Sequence, residues 1–519
     1  MSNNTNTPGK KKPVKTILLI IAIAAVLVFA LRDVLFKHGS SSDDISTTAD
    51  HEGKLLAEKY CQSCHLLPDP SLLDKQTWKS FLPEMGLYLG IKSPDVSLVA
   101  QQDKDFYPAQ PVISNEQWQS ILQYYEAAAP ASLPHNAANY SAMSELSSFT
   151  PLPAPPFLER SSLRASFVKI DKRVTPARLF VFDANSKQLF LFNSNGFLDS
   201  LHINGIIVDM SFARNEIMAL SIGDELRMGP DKDKNGSVIP ITINAAGKMQ
   251  AKAPVIKGLA RPVQILNTDI NGDHQTDYVI AEFGKLTGTL SWFQNNGTGG
   301  YNKHDIRAVP GSVKVYAEEN KETGRNDLWV LFAQGNEGIF RLDNKADGRF
   351  EEHQVLKFPP SYGSTSFERI DINKDGFKDI VYTCGDNGDG TPILKPYHGI
   401  YVFINDGKDH FEQRFFYPLN GCYKVVASDF NHTGNIDLAA IGYFTNPAQP
   451  EEWFVYLKNN GSLNFTPYRA PAGMGIQNAL TMDSGDFNGD GKPDLVIGND
   501  FAADKTAATG PLFVLFESK

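Results

Sequence analysis

Four cysteines in 519 residues are too few to staple a small domain, so no disulfide framework stands in for a hydrophobic core. An excess of positive charge is missing as well. The chain sets 49 Lys and Arg against 59 Asp and Glu, a net charge of −10, and no basic stripe appears along it. Nucleic acid is thereby excluded as a partner, because phosphate contacts need clustered cations. A single compact core is excluded by length, and two folded units plus tails are expected.

What is present begins with an address. Lys10, Lys11, Lys12 and Lys15 precede an apolar run from Ile17 to Leu31, with no acidic residue before it. That charge bias keeps the N-terminus cytoplasmic and exports the rest. Val34, Leu35 and Phe36 extend the run toward spanning length, with Arg32 and Asp33 at the interface. Residues 1–15 are read as a cytoplasmic tail and 16–36 as an uncleaved transmembrane anchor. The alternative is a removable signal peptide ending at Val28-Phe29-Ala30. Residues 37–50 have the Ser/Asp/Thr composition of a flexible tether.

Residues 51–130 carry a helical pattern. Asp50 is placed to cap a first helix containing Leu55, Leu56 and Tyr60. Ser114 and Gln117 form a capping box ahead of Trp118, Ile121, Leu122, Tyr125 and Ala129, and Pro130 stops that helix. The Pro/Ser/Ala-rich stretch 131–161 is expected to be an interdomain linker. Beyond it, 162–519 turns to short alternating strands punctuated by Asn-Gly and Asp-Gly.

Cys61-Gln-Ser-Cys64-His65 is the most specific motif in the chain. Two thiols about one helical turn apart suit the two vinyl groups of haem, and the adjoining imidazole reaches the iron from the same side. A zinc site lacks two further ligands nearby, and a redox dithiol wants a βαβ setting. Met85 is the only methionine between residues 50 and 130 and the candidate distal ligand, in what reads as a Pro/Gly-bounded loop, Leu82-Pro83-Glu84-Met85-Gly86; His51 is the fallback. Residues 50–130 resemble a small class I cytochrome c: the motif ends one helix, a methionine follows, and an aromatic helix with Trp118, Tyr124 and Tyr125 closes the domain. The distance from His65 to Met85 is shorter than that family's usual pattern. The resemblance implies one covalent haem c and electron transfer.

The second motif is Asp-x-Asn-x-Asp-x-x-x-Asp. It occurs as Asp269, Asn271, Asp273 and Asp277; as Asp371, Asn373, Asp375 and Asp379; and as Asp486, Asn488, Asp490 and Asp494. Alternate side chains turn oxygens inward, and the carbonyls of Gln275, Phe377 and Lys492 add another, a set of hard oxygens suited to about three calcium ions. A weaker copy at Asp429, Asn431 and Asp437 has Thr433 at the fifth place. An EF-hand is excluded, since Ile280, Tyr382 and Ile497 stand where its bidentate Glu belongs, and strands follow. Degenerate copies near Asn326, Asp171 and Asp209 bring the count to seven propeller blades, with six or eight still open. These repeats resemble integrin-type FG-GAP or VCBS propellers, in which calcium sits in such a loop.

The expected fold is therefore multi-domain: a membrane helix, a small all-α cytochrome c domain, and an all-β propeller. The expected function is electron transfer by a membrane-anchored monohaem cytochrome, its bulk in the periplasm at the inner membrane, the propeller docking a redox protein or glycan. Two alternatives stand beside it: an oxidoreductase with an active site on the propeller and the haem as electron outlet, and an adhesion or carbohydrate-binding module. Cys384 and Cys422 are a candidate disulfide. Asp386-Asn-Gly-Asp389 and Lys395-Pro-Tyr-His398 form a polar loop, with a ligand site as the second reading.

Overall fold

A computed structural model describes residues 48–519 apart from 95, 135–139, 153, 214–215, 227, 389–390, 447, 472 and 502–508. The basic tail, the proposed anchor and most of the tether lie outside the described residues. Among the described residues no helix is long and apolar enough to cross a membrane.

The described residues of 48–130 contain four α-helices: α1 Thr48–Tyr60, α2 Lys75–Tyr88, α3 Leu98–Gln102 and α4 Asn115–Ala128. α1 starts before Asp50, which lies inside its first turn rather than capping it. α4 starts at the expected capping box, in which Ser114 Oγ accepts from Gln117 N–H and the Gln117 side chain accepts from Ser114 N–H. Its buried face, Trp118, Ile121 and Tyr125, packs against Ala57 of α1 and Trp78 and Leu82 of α2. At Gly53 α1 and α4 approach so closely that a Cβ there would lie 2.1 Å from Ser120 O. Two aromatic side chains pin the loop after the Cys61–His65 motif: Tyr125 Oη donates to Pro68 O at 2.9 Å and Trp78 Nε1 to Pro70 O at 2.8 Å.

The remainder is a seven-bladed β-propeller. The blades begin at residues 165, 207, 262, 312, 364, 422 and 481, each an antiparallel sheet whose strands run outward from the central axis. The second strands of blades 3, 5 and 6, Asp277–Glu282, Asp379–Cys384 and Asp437–Gly442, are buried along their whole length. Covered on both faces by neighbouring blades, they read as continuous apolar runs rather than alternating ones. The outer strand Tyr301–Arg307 is polar and mostly exposed, whereas Phe411–Pro418 exposes only Glu412, Gln413 and Arg414.

The expected linker turns out to close the ring. Phe149–Leu152 is the outermost strand of blade 7, paired antiparallel with the C-terminal strand Phe513–Ser518, and Ser144–Glu145 extends blade 6 beside Phe465–Arg469. Glu159–Ser161 pairs with Thr509–Pro511. Phe149 locks the closure, its ring edge-on to Phe430, Tyr456 and Phe516. Composition favoured a linker because proline and serine abound there. An outer strand tolerates them, since one of its edges needs no partner. Asp209 also departs from expectation: it lies within the inner strand Ile207–Ala213, not in a loop.

In up-and-down blades, first-to-second strand loops all emerge at one end of the ring and second-to-third strand loops at the other. The Asp/Asn loops are of the first kind. The helical domain sits on the second kind: Lys285 Nζ lies 3.3 Å from Glu84 Oε2, Asp103 Oδ1 accepts from Asp231 N–H at 3.0 Å, and Tyr397 Oη donates to Leu72 O at 2.9 Å. The two candidate sites therefore occupy opposite faces of the propeller.

Candidate functional site

α1 delivers Cys61 at its end, and a single 3-10 turn, Cys61–Ser63, carries the chain to Cys64 and His65. Both cysteines are free thiols, Cys64 exposed and Cys61 partly covered. Burial, with Cys64 adding, pushes the Cys61 thiol up to about 11. His65 Nδ1 lies 2.7 Å from Leu66 O, so the carbonyl holds a proton there and leaves Nε2 as the ligand atom. Burial holds the imidazole below its usual range, in the neutral form a metal requires.

Met85 lies in α2, not in a loop. Pro83 removes one helical hydrogen bond, yet the helix runs through it. Asp74 caps it, accepting from Thr77 N–H at 2.7 Å, and buried Trp78, Leu82 and Gly86 hold its inner face. Met85 packs at the edge of the same apolar cluster as Cys61, Leu67 and Phe81. His51 is exposed on α1. The domain also leaves Tyr88, Leu98, Phe106 and Val112 uncovered, at 39%, 76%, 47% and 57% exposure. A thiol pair, a neutral imidazole with one free nitrogen, a thioether in the same cluster and unburied apolar side chains together fit a covalently held haem.

The Asp/Asn loops share one backbone shape. Positions four and six have positive φ in all four copies: Gly272 and His274, Lys374 and Gly376, His432 and Gly434, Gly489 and Gly491. The first Asp of each copy fixes that shape. Asp371, for example, accepts from Asp375 N–H at 3.1 Å and Gly376 N–H at 2.9 Å, and Asp269, Asp429 and Asp486 do the equivalent. The copy with Thr433 keeps the turn although it lacks a carboxylate there.

The ninth-position aspartates have a role that spacing did not reveal. Asp277, Asp379, Asp437 and Asp494 are fully buried. One oxygen of each accepts from a backbone N–H at the far end of the third or last strand: Asn295, Asn405, Asn459 and Ser518. In the three full copies the other accepts from the second loop residue, Ile270, Ile372 or Phe487. These carboxylates staple loop to blade. Burial pushes Asp494 up to about 6, partly offset by those N–H donors. Asn271, Asp273, Asn373, Asp375 and Asp490 are exposed, while Asp269, Asp371, Asp486 and Asn488 are partly covered; with the position-seven carbonyl and the buried ninth aspartate these are the oxygens each loop would offer a hard cation.

Cys384 and Cys422 are free and fully buried. Cys384 belongs to the core shared with Trp329 and Phe367, and Cys422 to the one shared with Val402 and Leu438. They lie in separate inter-blade cores, and Cys384 Sγ donates to Tyr397 O instead. In the polar loop of blade 5, Lys395 is buried and its ammonium donates to Asn387 Oδ1 at 2.6 Å and Thr391 Oγ1 at 2.8 Å. Asp389 lies outside the described residues. Burial, then Lys395, holds the His398 imidazole well below its usual range. A trio of Asp343, Glu351 and His353 also converges on blade 4, where Arg341 and Lys345 already neutralise it.

Residues 429–497, from the weak copy through the last full one, match the FG-GAP-like repeat family. No curated protein matches the chain. Among solved structures, virginiamycin B lyase from Staphylococcus aureus is 11% identical, with a TM-score of 0.44, over 72% of this chain and 99% of its own. A protein from Lactobacillus plantarum is 13% identical, with a TM-score of 0.39, over 69% of this chain and 99% of its own. The chain's own sheets form a seven-bladed β-propeller, and residues 429–497 within it match the FG-GAP-like repeat family.

Proposed function

We propose that the protein is a monohaem c-type cytochrome built onto a calcium-stabilised propeller, and that it passes electrons between redox partners outside the cytoplasm. The observation that carries this is Cys61-x-x-Cys64-His65 at the end of a helix in a small helical domain, with His65 Nδ1 engaged by Leu66 O. Bound haem would supply a one-electron couple. Cys61 and Cys64 would hold it by thioether bonds, and His65 would ligate the iron. Leu66 O fixes the imidazole's orientation and tautomer. Met85 is the proposed distal ligand, a thioether that raises the potential toward the range of electron carriers. Ligation by both His65 and Met85 would favour electron transfer over substrate chemistry at a bound iron.

The basic, apolar N-terminal sequence supports a membrane anchor with the bulk of the chain in the periplasm at the inner membrane, where a redox partner would meet it. Calcium is proposed at the loops of Asp269, Asp371 and Asp486, on the strength of their shared turn and of the first-position carboxylates folded into each loop. Protein matured with the haem-attachment machinery should be reduced reversibly by ascorbate, with the α-band of c-type haem. Material that matures without haem would defeat the proposal.

A further inference from the structure

The helical domain is gripped by the propeller at several separate points. Ile393, from the second-to-third strand loop of blade 5, packs against the domain's apolar cluster, whose partly buried rim also includes Cys61, Leu67 and Met85. Four residues on, Tyr397 donates to Leu72 O at 2.9 Å, in the segment that follows His65. From blade 4, Gly335 comes so near the motif that a Cβ on it would lie 4.0 Å from Cys64 O. From blade 3, Lys285 pairs with Glu84, the neighbour of Met85, at 3.3 Å. Asp231 of blade 2 donates its N–H to buried Asp103, while its carboxylate accepts from the N–H groups of Lys285, Leu286 and Thr287.

The blade 5 loop is braced to present those side chains. Buried Lys395 ties Asn387 to Thr391, and Asn387 Nδ2 donates to Ile393 O at 3.1 Å. Tyr397 stacks on Tyr362, ring centroids 4.7 Å apart, and its carbonyl accepts from Tyr401 Oη at 2.6 Å. A free tether would need none of this. A buried lysine is costly to hold in an idle loop.

We infer that the propeller is the helical domain's built-in partner: its blade 5 loop, through Ile393 and Tyr397, forms one wall of the haem crevice and sets the polarity around the iron. The inference rests on the haem reading for the crevice, though not for the clamp. Polarity and access to water are among the main levers on a haem potential, so a polar wall residue shifts the reduction equilibrium. Ile393 and Tyr397 are positioning residues.

The test uses full-length protein in three forms: unaltered, Ile393→Asn and Tyr397→Phe. Carbodiimide, a zero-length cross-linker, should join Glu84 to Lys285 in the unaltered protein and not in Lys285→Gln. Amide hydrogen exchange over residues 66–74 should speed up by about tenfold in Ile393→Asn and less in Tyr397→Phe, with propeller amides unchanged. The reduction equilibrium against a fixed mediator should move by about tenfold in Ile393→Asn, and the Met-to-iron charge-transfer band should weaken. No cross-link, or exchange indifferent to Ile393, overturns the clamp. A clamp with an unmoved equilibrium overturns the wall. Protein without haem overturns the wall together with the haem reading, while cross-linking and exchange still decide the clamp.

Discussion

Asp483 of blade 7 accepts a hydrogen bond from the backbone N–H of Ile170 in blade 1 at 2.9 Å, across the seam where the ring closes. The device recurs: Asp209 of blade 2 takes the N–H of Ile265 at 3.0 Å, and Gln264 of blade 3 that of Val315 at 2.6 Å. Inner strands face the central channel, so these N–H groups have no neighbouring strand to pair with. A side chain from the adjacent blade satisfies each. Asp483→Ala is expected to destabilise the propeller by about 1–3 kcal/mol in chemical denaturation. Asp483→Asn, which keeps the acceptor and loses only the pairing with Lys169, should cost less.

The same channel produces a pH effect. Burial pushes the Lys424 ammonium down to about 8; Lys314 and Lys169 deepen the shift, and Asp483 and Glu368 oppose it. The unfolded lysine titrates near ~10.4. Between those values the unfolded chain holds the proton and the folded one sheds it, so stability rises with pH. Below about 8 the penalty is fully present. The melting temperature should climb from pH 7 to pH 9 by an increment that Lys424→Met removes.

Loop and staple separate in the proposed cation sites. Asp379 is buried and holds the N–H groups of Ile372 and Asn405, whereas Asp375 is exposed. Under chelator, Asp379→Ala should lower the melting temperature and Asp375→Ala should hardly move it. With calcium, both should forfeit a stabilisation that in the unaltered protein grows with the logarithm of free calcium. An unaltered protein that melts identically with and without chelator would remove calcium from the description.

Gly53 controls the helix crossing. A methyl group there would meet Ser120 O at 2.1 Å and Tyr124 Cβ at 2.8 Å. Gly53→Ala should force α1 and α4 apart, destabilise the helical domain by about 1–3 kcal/mol and lower the yield of haem-loaded protein, leaving the propeller's melting transition in place.

How much of this was legible in sequence depended on range. The Cys-x-x-Cys-His motif and the Asp/Asn loops are local, their residues within a turn of one another, and the turn chemistry at Gly376, Gly434 and Gly491 is written in the chain. Seven blades followed from counting strands between such turns. Ring closure by Phe149 was hidden, because its partners Phe430, Tyr456 and Phe516 are hundreds of residues away and its flanks are rich in proline. Met85 looked like a loop residue because Pro83 weighs against a helix locally, and the packing of Trp78 and Leu82 outweighs it. Asp483 gave no signal, an ordinary polar residue until its distant partner Ile170 is known. Lys395 was visible only as part of a polar loop, because its burial depends on packing that sequence does not show.

Cysteine chemistry supplies the most direct measurement. Cys384 and Cys422 lie in different cores as free thiols, and Cys61 and Cys64 are the pair proposed to carry haem. In denatured, unreduced protein from a host with the attachment machinery, alkylation should label Cys384 and Cys422, and the peptide bearing Cys61 and Cys64 should be heavier by one haem. Finding Cys61 and Cys64 alkylated in that same material, with no haem on the peptide, would contradict the proposed function.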